Sequence, residues 1–391
     1  MANQTRTRPE TAVVEWFAGH ISSPVARLRF LQAAMHAHPP ARPRGRFRKL
    51  RVWVAIPVLL SLVFATRPPP GKRLRAADPD ASPLTTASVR PAAVRVTPLP
   101  EIWQVEKTKT WETFSNGLRI DDRFAISTHR RSYLAFPVSG PVDARGDRRT
   151  TPAGIVYHTT ESLQVPFLAS ENSTLERIGE SLLNFVKHKR AYNFVIDRFG
   201  RVFRVVQESD AANHAGYSVW ADPQWVYLNL NESFLAVAFE TRTLPGQADA
   251  TVNPAQIRSA AMLTEVLRRR YGIAAGNCVT HGQVSVNPSG LRVGFHQDWA
   301  SSFPFDQLGL PDNYAAPLPA VSLFGFEYDS DFERKAGALL YRQAQFGERE
   351  LRDRAAKARL PLPVYRKALQ NRYHSWLAIV RRDATRPEED E

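Results

Sequence analysis

Apolar and polar positions follow several different periods along this chain, and each change of period marks a new part. An uncharged apolar run, residues 52–66 (VWVAIPVLLSLVFAT), stands alone near the start. Residues 67–100 are rich in Pro, Ala, Ser and Thr with no period of two or 3.6, which predicts an extended tether. Aromatic residues return at Trp103, and Asn116-Gly117 predicts a turn between short strands. The run GIVYH (154–158), entered from Thr151-Pro152, predicts a buried strand. Leu175, Ile178, Leu182 and Val186 recur at three and four spacing, which predicts a helix over 174–189. Residues 192–197 and 201–206 flank Arg198-Phe199-Gly200 as a hairpin. A strand over 235–240 follows, then a helix over 254–270 opened by Asn253 as N-cap with Pro254 in the first turn, then a last strand over 277–280. Beyond about residue 327 the chain turns helical, with Val364, Ala368, Tyr373, Leu377 and Val380 as an apolar stripe ahead of an acidic tail. There is no internal repeat.

Charge changes this picture at one end only. Of the net +14, residues 1–75 hold +12 (fourteen Lys and Arg against two acids), so the other 316 residues carry only +2. A nearly neutral body removes the main support for nucleic-acid binding. The basic cluster Arg42–Arg51 directly precedes the apolar run, which at 15 residues is short for a span of about 20 and at the upper edge of a secretory core of about 7 to 15. Positive charge on that side orients the run with its start in the cytoplasm and everything after Arg67 outside. The expectation is a signal anchor or a cleaved signal, with the globular part in the cell envelope. Cys278 is the single cysteine, so a disulfide framework and a Cys-rich zinc module are excluded. In a strand Cys278 and His281 point to opposite faces, which predicts a buried, inert thiol.

Candidate chemistry concentrates in residues 151–310. Three histidines, His158, His281 and His296, lie at or beyond strand ends, where a sheet can aim them at one point. A catalytic zinc takes three ligands from His or carboxylate and leaves one position open. His158, His281 and Asp298 supply that inventory, with His296 as the competing third ligand.

The strand GIVYHTTES (154–162), the hairpin YNFVIDRFGRVFRVV (192–206), the loop ANHAGYS (212–218), the strand LAVAFET (235–241) and the block from Thr280-His281-Gly282 to Phe305 stand in one order. In that order they resemble the zinc-dependent N-acetylmuramoyl-L-alanine amidases of the type 2 amidase and peptidoglycan recognition protein family. The resemblance covers roughly residues 150–310. It implies an α/β (α+β) fold with a mixed central sheet flanked by helices, and a Zn2+ in a groove for the glycan and stem peptide of peptidoglycan. His158 and His281 match the family's first two ligands, and Asp298 the third. Glu240 matches its strand-end acid, and His214 the histidine of its HAG-like loop on the substrate side. Asn193 and Trp220 are further substrate-side candidates; Trp220, Trp225 and Tyr227 suit a sugar-binding wall and core packing equally. The chain departs from the family at His296, where many catalytic members carry lysine, and at VNPSGLRV (286–293), which reads as an insertion.

On this reading a zinc-activated water attacks the lactyl amide. Glu240 takes its proton and returns it to the leaving amine, and His296 stabilises the developing oxyanion. The alternative is a non-catalytic peptidoglycan-binding module. The expected parts are a basic segment (1–51), the apolar run (52–66), a linker (67–100), an N-terminal extension (101–150), the amidase-like domain (151–320) and a helical extension with its acidic tail (321–391).

Overall fold

The computed structural model describes residues 101–243 and 252–384. The basic segment, apolar run and linker lie outside the described residues, as do the last residues of the acidic tail. Among the described residues no helix is long and apolar enough to cross a membrane. The chain from Pro98 onward forms one compact unit.

It opens with β1 (Gln104–Lys107), β2 (Trp111–Phe114), β3 (Arg119–Asp121), β4 (Tyr133–Pro137) and β5 (Asp147–Arg149). The motif-bearing part follows as β6 (Gly154–Thr159), α1 (Asn172–Lys189), β7 (Phe194–Ile196), β8 (Val202–Arg204), β9 (Trp220–Ala221), β10 (Trp225–Tyr227), α2 (Leu230–Ser233), β11 (Phe234–Phe239), α3 (Pro254–Tyr271), β12 (Cys278–Thr280) and α4 (His281–Val284). After a small hairpin of β13 (Val286–Asn287) and β14 (Arg292–Val293) come α5 (Pro319–Phe324), α6 (Phe332–Lys357) and α7 (Leu362–Ala384). The main sheet has the order β1-β2-β3-β8-β7-β11-β6-β12. Pairing is parallel on both sides of β11 and of β6, and antiparallel at β1–β2, β2–β3 and β7–β8. The expected mixed sheet with helices on it is therefore present.

Every residue of β6 and β11 is buried, as expected for strands with parallel neighbours on both edges. β6 enters through Gly154 because nothing larger fits: a Cβ there would stand 2.1 Å from the Phe234 ring and 2.4 Å from Asn277 O. Asn253 starts α3 by accepting the N–H groups of Ala255 and Gln256, and Gln256 completes the capping box. The apolar stripe of α1 is rotated from the expected one: Leu175, Gly179, Leu183 and Val186 are buried, with Leu183 taking the place of Leu182.

Three features were not legible in the periodicity. The N-terminal strands β1, β2 and β3 extend the main sheet through β8. A second sheet, β5-β4-β10-β9, is formed from strands of two to five residues, too short to show alternation. In the C-terminal stripe the expected Tyr373, Leu377 and Val380 are buried, but Leu369 and Trp376 join them in place of Val364 and Ala368, which face solvent. Trp376 stacks on Phe136 of β4 at 4.7 Å, so the helical region packs on the second sheet.

Gly154→Ala is expected to cost about 1–3 kcal/mol, the scale of overpacking a close-packed contact. A urea midpoint unchanged from wild type would show that Phe234 and Asn277 do not press on this position.

Candidate metal centre

His158 stands next to the last position of β6, 1% exposed. His281 is the first residue of α4, whose N-cap Thr280 ends β12, so the end of a strand becomes the start of a helix at the ligand itself. Asp298 lies in the loop after β14, and its carbonyl accepts the Gly282 N–H at 2.9 Å. Gly282 allows this approach: a Cβ would stand 2.7 Å from Ala300 Cα. The three side chains converge, with ligand atoms all within 4.8 Å of one another. Nδ1 of His158 is 3.2 Å from one Asp298 oxygen, and Nδ1 of His281 is 2.8 Å from the other.

Hydrogen bonding fixes which ring nitrogens carry protons. His214 Nε2 lies 2.9 Å from Leu230 O, which can only accept, so this nitrogen donates. Burial, then the neighbouring charges of His158, His281 and Arg131, holds His214 well below the usual histidine range, so it is neutral and its Nδ1 accepts. His158 Nε2, 3.1 Å away, must then be the donor. Burial and the nearby His281 push the His158 pKa down to about 4 despite Asp298, so above that pH its Nδ1 is bare. A bare nitrogen facing a carboxylate oxygen is two acceptors with no proton between them, the pairing that a cation satisfies. For Asp298 burial works against ionisation, but His281 and His158 outweigh it and hold the carboxyl well below the ordinary range. Two imidazoles and one carboxylate with the other His158 N–H anchored behind it fit a zinc site.

His296 does not join the converging atoms. Its ring stacks on His281 at 4.7 Å between centroids, and its backbone N–H donates to Ser285 Oγ. Of the two candidates for third ligand, the geometry brings Asp298 to the centre and leaves His296 beside it, next to the exposed Phe295.

Glu240 follows β11, and β11 pairs with β6 so that Ala238 lies opposite His158. Glu240, two residues on, therefore shares the sheet face of His158, roughly 7 Å further along the strand direction. It is 2% exposed and accepts the Arg198 N–H at 3.0 Å. Burial, with Asp197 nearby, outweighs the Arg198 bond and pushes its pKa up to about 7.

Two expected substrate contacts are corrected. Asn193 is fully buried, and its amide is consumed by Ala236 N, Val206 O and Gln207 O, so it joins β11 to the β8 side of the sheet and cannot reach a ligand. Trp220 is buried with Tyr133, Tyr227, Phe234 and Val279, its indole N–H donated to Asn277 Oδ1. His214, expected to contact substrate, is half-buried with its Nδ1 3.1 Å from His158 Nε2. Cys278 is a buried free thiol, its pKa pushed up to about 12 by burial.

Tyr192 was missed. Its ring lies 5.1 Å from that of His158 and its φ is 61°. Glu161 (φ 55°) and Trp299 (φ 56°) also hold left-handed backbone, three residues after His158 and one after Asp298. Three such non-glycine residues around one centre are conformations that the surrounding structure must enforce. The only sequence signal for Tyr192 was its place at the head of the hairpin motif.

Residues 148–298 match the family model described as N-acetylmuramoyl-L-alanine amidase. The match falls on the segment whose motifs resemble the type 2 amidase and peptidoglycan recognition protein family, and it spans less than half of the chain. No curated protein matches the chain significantly. Among solved structures, it is similar to the amidase AmiD from E. coli in complex with anhydro-N-acetylmuramic acid-L-Ala-D-gamma-Glu-L-Lys (19% identity, 58% of this chain and 89% of that one, TM-score 0.34). It is also similar to AmpDh3 from Pseudomonas aeruginosa with an anhydromuramic pentapeptide (19%, 60% and 92%, TM-score 0.34) and to the Drosophila peptidoglycan recognition protein SD (16%, 42% and 85%, TM-score 0.26). The residues matched to the family end at Asp298, and α5, α6 and α7 lie beyond them.

Glu240 makes a linkage prediction for the metal-stripped protein. Its folded pKa of about 7 exceeds the ordinary 4.5, so the folded state holds the extra proton between these values. Stability contributed by this group is complete below about pH 4.5 and is lost as pH rises through about 7. Glu240→Gln should flatten that slope in urea midpoints taken across the interval; an unchanged slope would place the shifted proton elsewhere.

Proposed function

We propose that the protein hydrolyses the amide bond between N-acetylmuramic acid and L-alanine in peptidoglycan, using a zinc ion held by His158, His281 and Asp298. The observation that carries this reading is the buried meeting of a bare His158 Nδ1 with an ionised Asp298 carboxylate inside the amidase segment. The ion would supply Lewis-acid polarisation of the amide carbonyl and activation of the attacking water.

The chain supplies the rest. Glu240, with a pKa near 7, is poised to accept a proton from the attacking water and return it to the L-alanine nitrogen, because both its forms are populated near neutrality. His296, held over His281, offers an imidazole N–H where charge develops on the carbonyl oxygen. His214 and Leu230 keep His158 in the tautomer whose Nδ1 faces the centre. The basic and apolar segments before residue 67 support a place in the cell envelope with this domain outside the cytoplasm.

Chelator-treated protein should lose release of stem peptide from purified sacculi and regain it with stoichiometric zinc. His158→Ala and Asp298→Ala should lose both metal and activity, whereas His296→Ala should keep the metal and lose about 100-fold in turnover. Should His296→Ala empty the site while Asp298→Ala leaves it filled, their roles must be exchanged. Full zinc occupancy with no peptide release would make the protein a binding module. His214→Ala, which removes the acceptor behind His158, is expected to weaken zinc binding about 10- to 100-fold without abolishing it; unaltered affinity in a chelator competition would deny it this part.

A further inference from the structure

Both loops that carry the second and third ligands are bonded to α6, a helix outside the amidase segment. Gln343 of α6 is completely buried, and its amide is used at both ends. Nε2–H donates to Asn313 O at 3.0 Å, and Oε1 accepts from Gln283 Nε2 at 3.2 Å. Gln283 forms the capping box with Thr280 that starts α4 at His281. Asn313 in turn donates to Cys278 O at 2.7 Å, at the start of β12. One side chain of α6 therefore braces both ends of the Cys278–Gln283 segment around His281.

The second contact is a break in the same helix. Gly337 has φ 79° and ψ 168°, and a Cβ there would stand 2.7 Å from Ser301 Cβ and Oγ. Into the gap the Ser301 hydroxyl donates to Ala336 O at 2.6 Å and accepts the Leu340 N–H at 3.1 Å. Ser301 comes three residues after Asp298. A glycine with a left-handed φ inside a helix weakens it, and here the interruption admits the loop that carries a ligand.

We propose that α6 is a positioning element for the metal centre, setting the separation of His281 and Asp298 through Gln343 and Ser301. Neither ligand has extended regular structure of its own, since His281 begins a helix of four residues and Asp298 is in a loop. A metal site needs its donors held to about 0.5 Å. The direct tie between the loops is the Gly282–Asp298 backbone bond, and α6 grips each loop from the other side. The inference rests on the zinc reading above.

The test is zinc affinity of the full chain by chelator competition, read beside its thermal midpoint, for wild type, Gln343→Leu, Ser301→Ala and Leu377→Ala. Leu377 is buried in α7 and serves as a control that lowers stability away from the ligands. Gln343→Leu and Ser301→Ala are each expected to weaken zinc binding by about 10-fold or more, the scale of losing an outer-shell contact. Leu377→Ala should lower the midpoint while leaving affinity within about twofold. In Co2+-loaded protein the first two should also alter the visible ligand-field spectrum. Affinity that merely follows the midpoint across all three variants would overturn the proposal, as would wild-type affinity in Ser301→Ala, the milder substitution should Gln343→Leu fail to fold. Absence of zinc binding in wild type would overturn the zinc reading, and this inference with it, whereas tight wild-type binding that none of the variants disturbs would overturn this inference alone.

Discussion

Burying an ionised carboxylate beside two imidazoles is the constraint on which the remaining architecture depends. Each group loses its water, and the Asp298 carboxyl stays ionised with His281 Nδ1 2.8 Å from one oxygen, while the bare His158 Nδ1 3.2 Å from the other leaves a place for a cation. Such an arrangement fails if any of the three can drift. The main sheet meets this need at His158, whose strand is hydrogen-bonded along both edges by β11 and β12. Glycine appears where these elements must touch: Gly154 lets β6 pass Phe234, and Gly282 lets the second ligand loop lie on the third.

The same constraint separates what was legible in the sequence from what was not. Long, strongly patterned elements such as α3 and β11 stand close to their expected bounds, because burial on a helix face or along a whole strand leaves a period in the apolar residues. Asn193 was misread, and Trp220 stayed open between a sugar-binding wall and the core, because a polar or amphipathic side chain near a site motif has two fates, and the choice depends on a partner distant in sequence. Asn193 is consumed by Ala236, and Trp220 by Asn277, 43 and 57 residues away. No local pattern carries that information. His214 is a related case: the motif marked the residue, but only the fold shows it behind His158, with Leu230 as its acceptor.

Left-handed backbone is the other property the residue types concealed. Glu161, Tyr192 and Trp299 carry side chains that oppose positive φ, and none of these positions shows the Gly or Asn that would signal it. Each is held by tertiary contacts: Glu161 accepts from Thr159 Oγ1 and Thr243 N, Trp299 has its carbonyl bonded by the Tyr314 hydroxyl, and Tyr192 N–H reaches Asn213 O. The strain lies beside the ligands because there the chain must leave a strand or helix abruptly while keeping a side chain aimed inward.

Proton handling at Glu240 and charge at the centre follow from opposite treatments of two buried carboxyls. Asp298 has His281 and His158 against its two oxygens and is held well below the ordinary carboxyl range, while at Glu240 burial, with Asp197 nearby, outweighs the Arg198 N–H and the charges of Arg198 and Arg201, so its pKa rises to about 7. On the proposed reading, moving either pattern to the other residue would defeat both: a readily protonated Asp298 would hold a cation poorly, and a permanently ionised Glu240 would have no drive to take a proton. The parallel pairing of β11 with β6 sets Glu240 on the sheet face of His158, roughly two residues further along the strands, while Asp298 reaches the centre from the loop after β14, so the environments of the two carboxyls differ. The contrast between these like groups thus comes from their places in the chain: Glu240 is held by the register of the fully buried β11 against β6, and Asp298 by a loop that folds back onto His281 through the Gly282–Asp298 backbone bond.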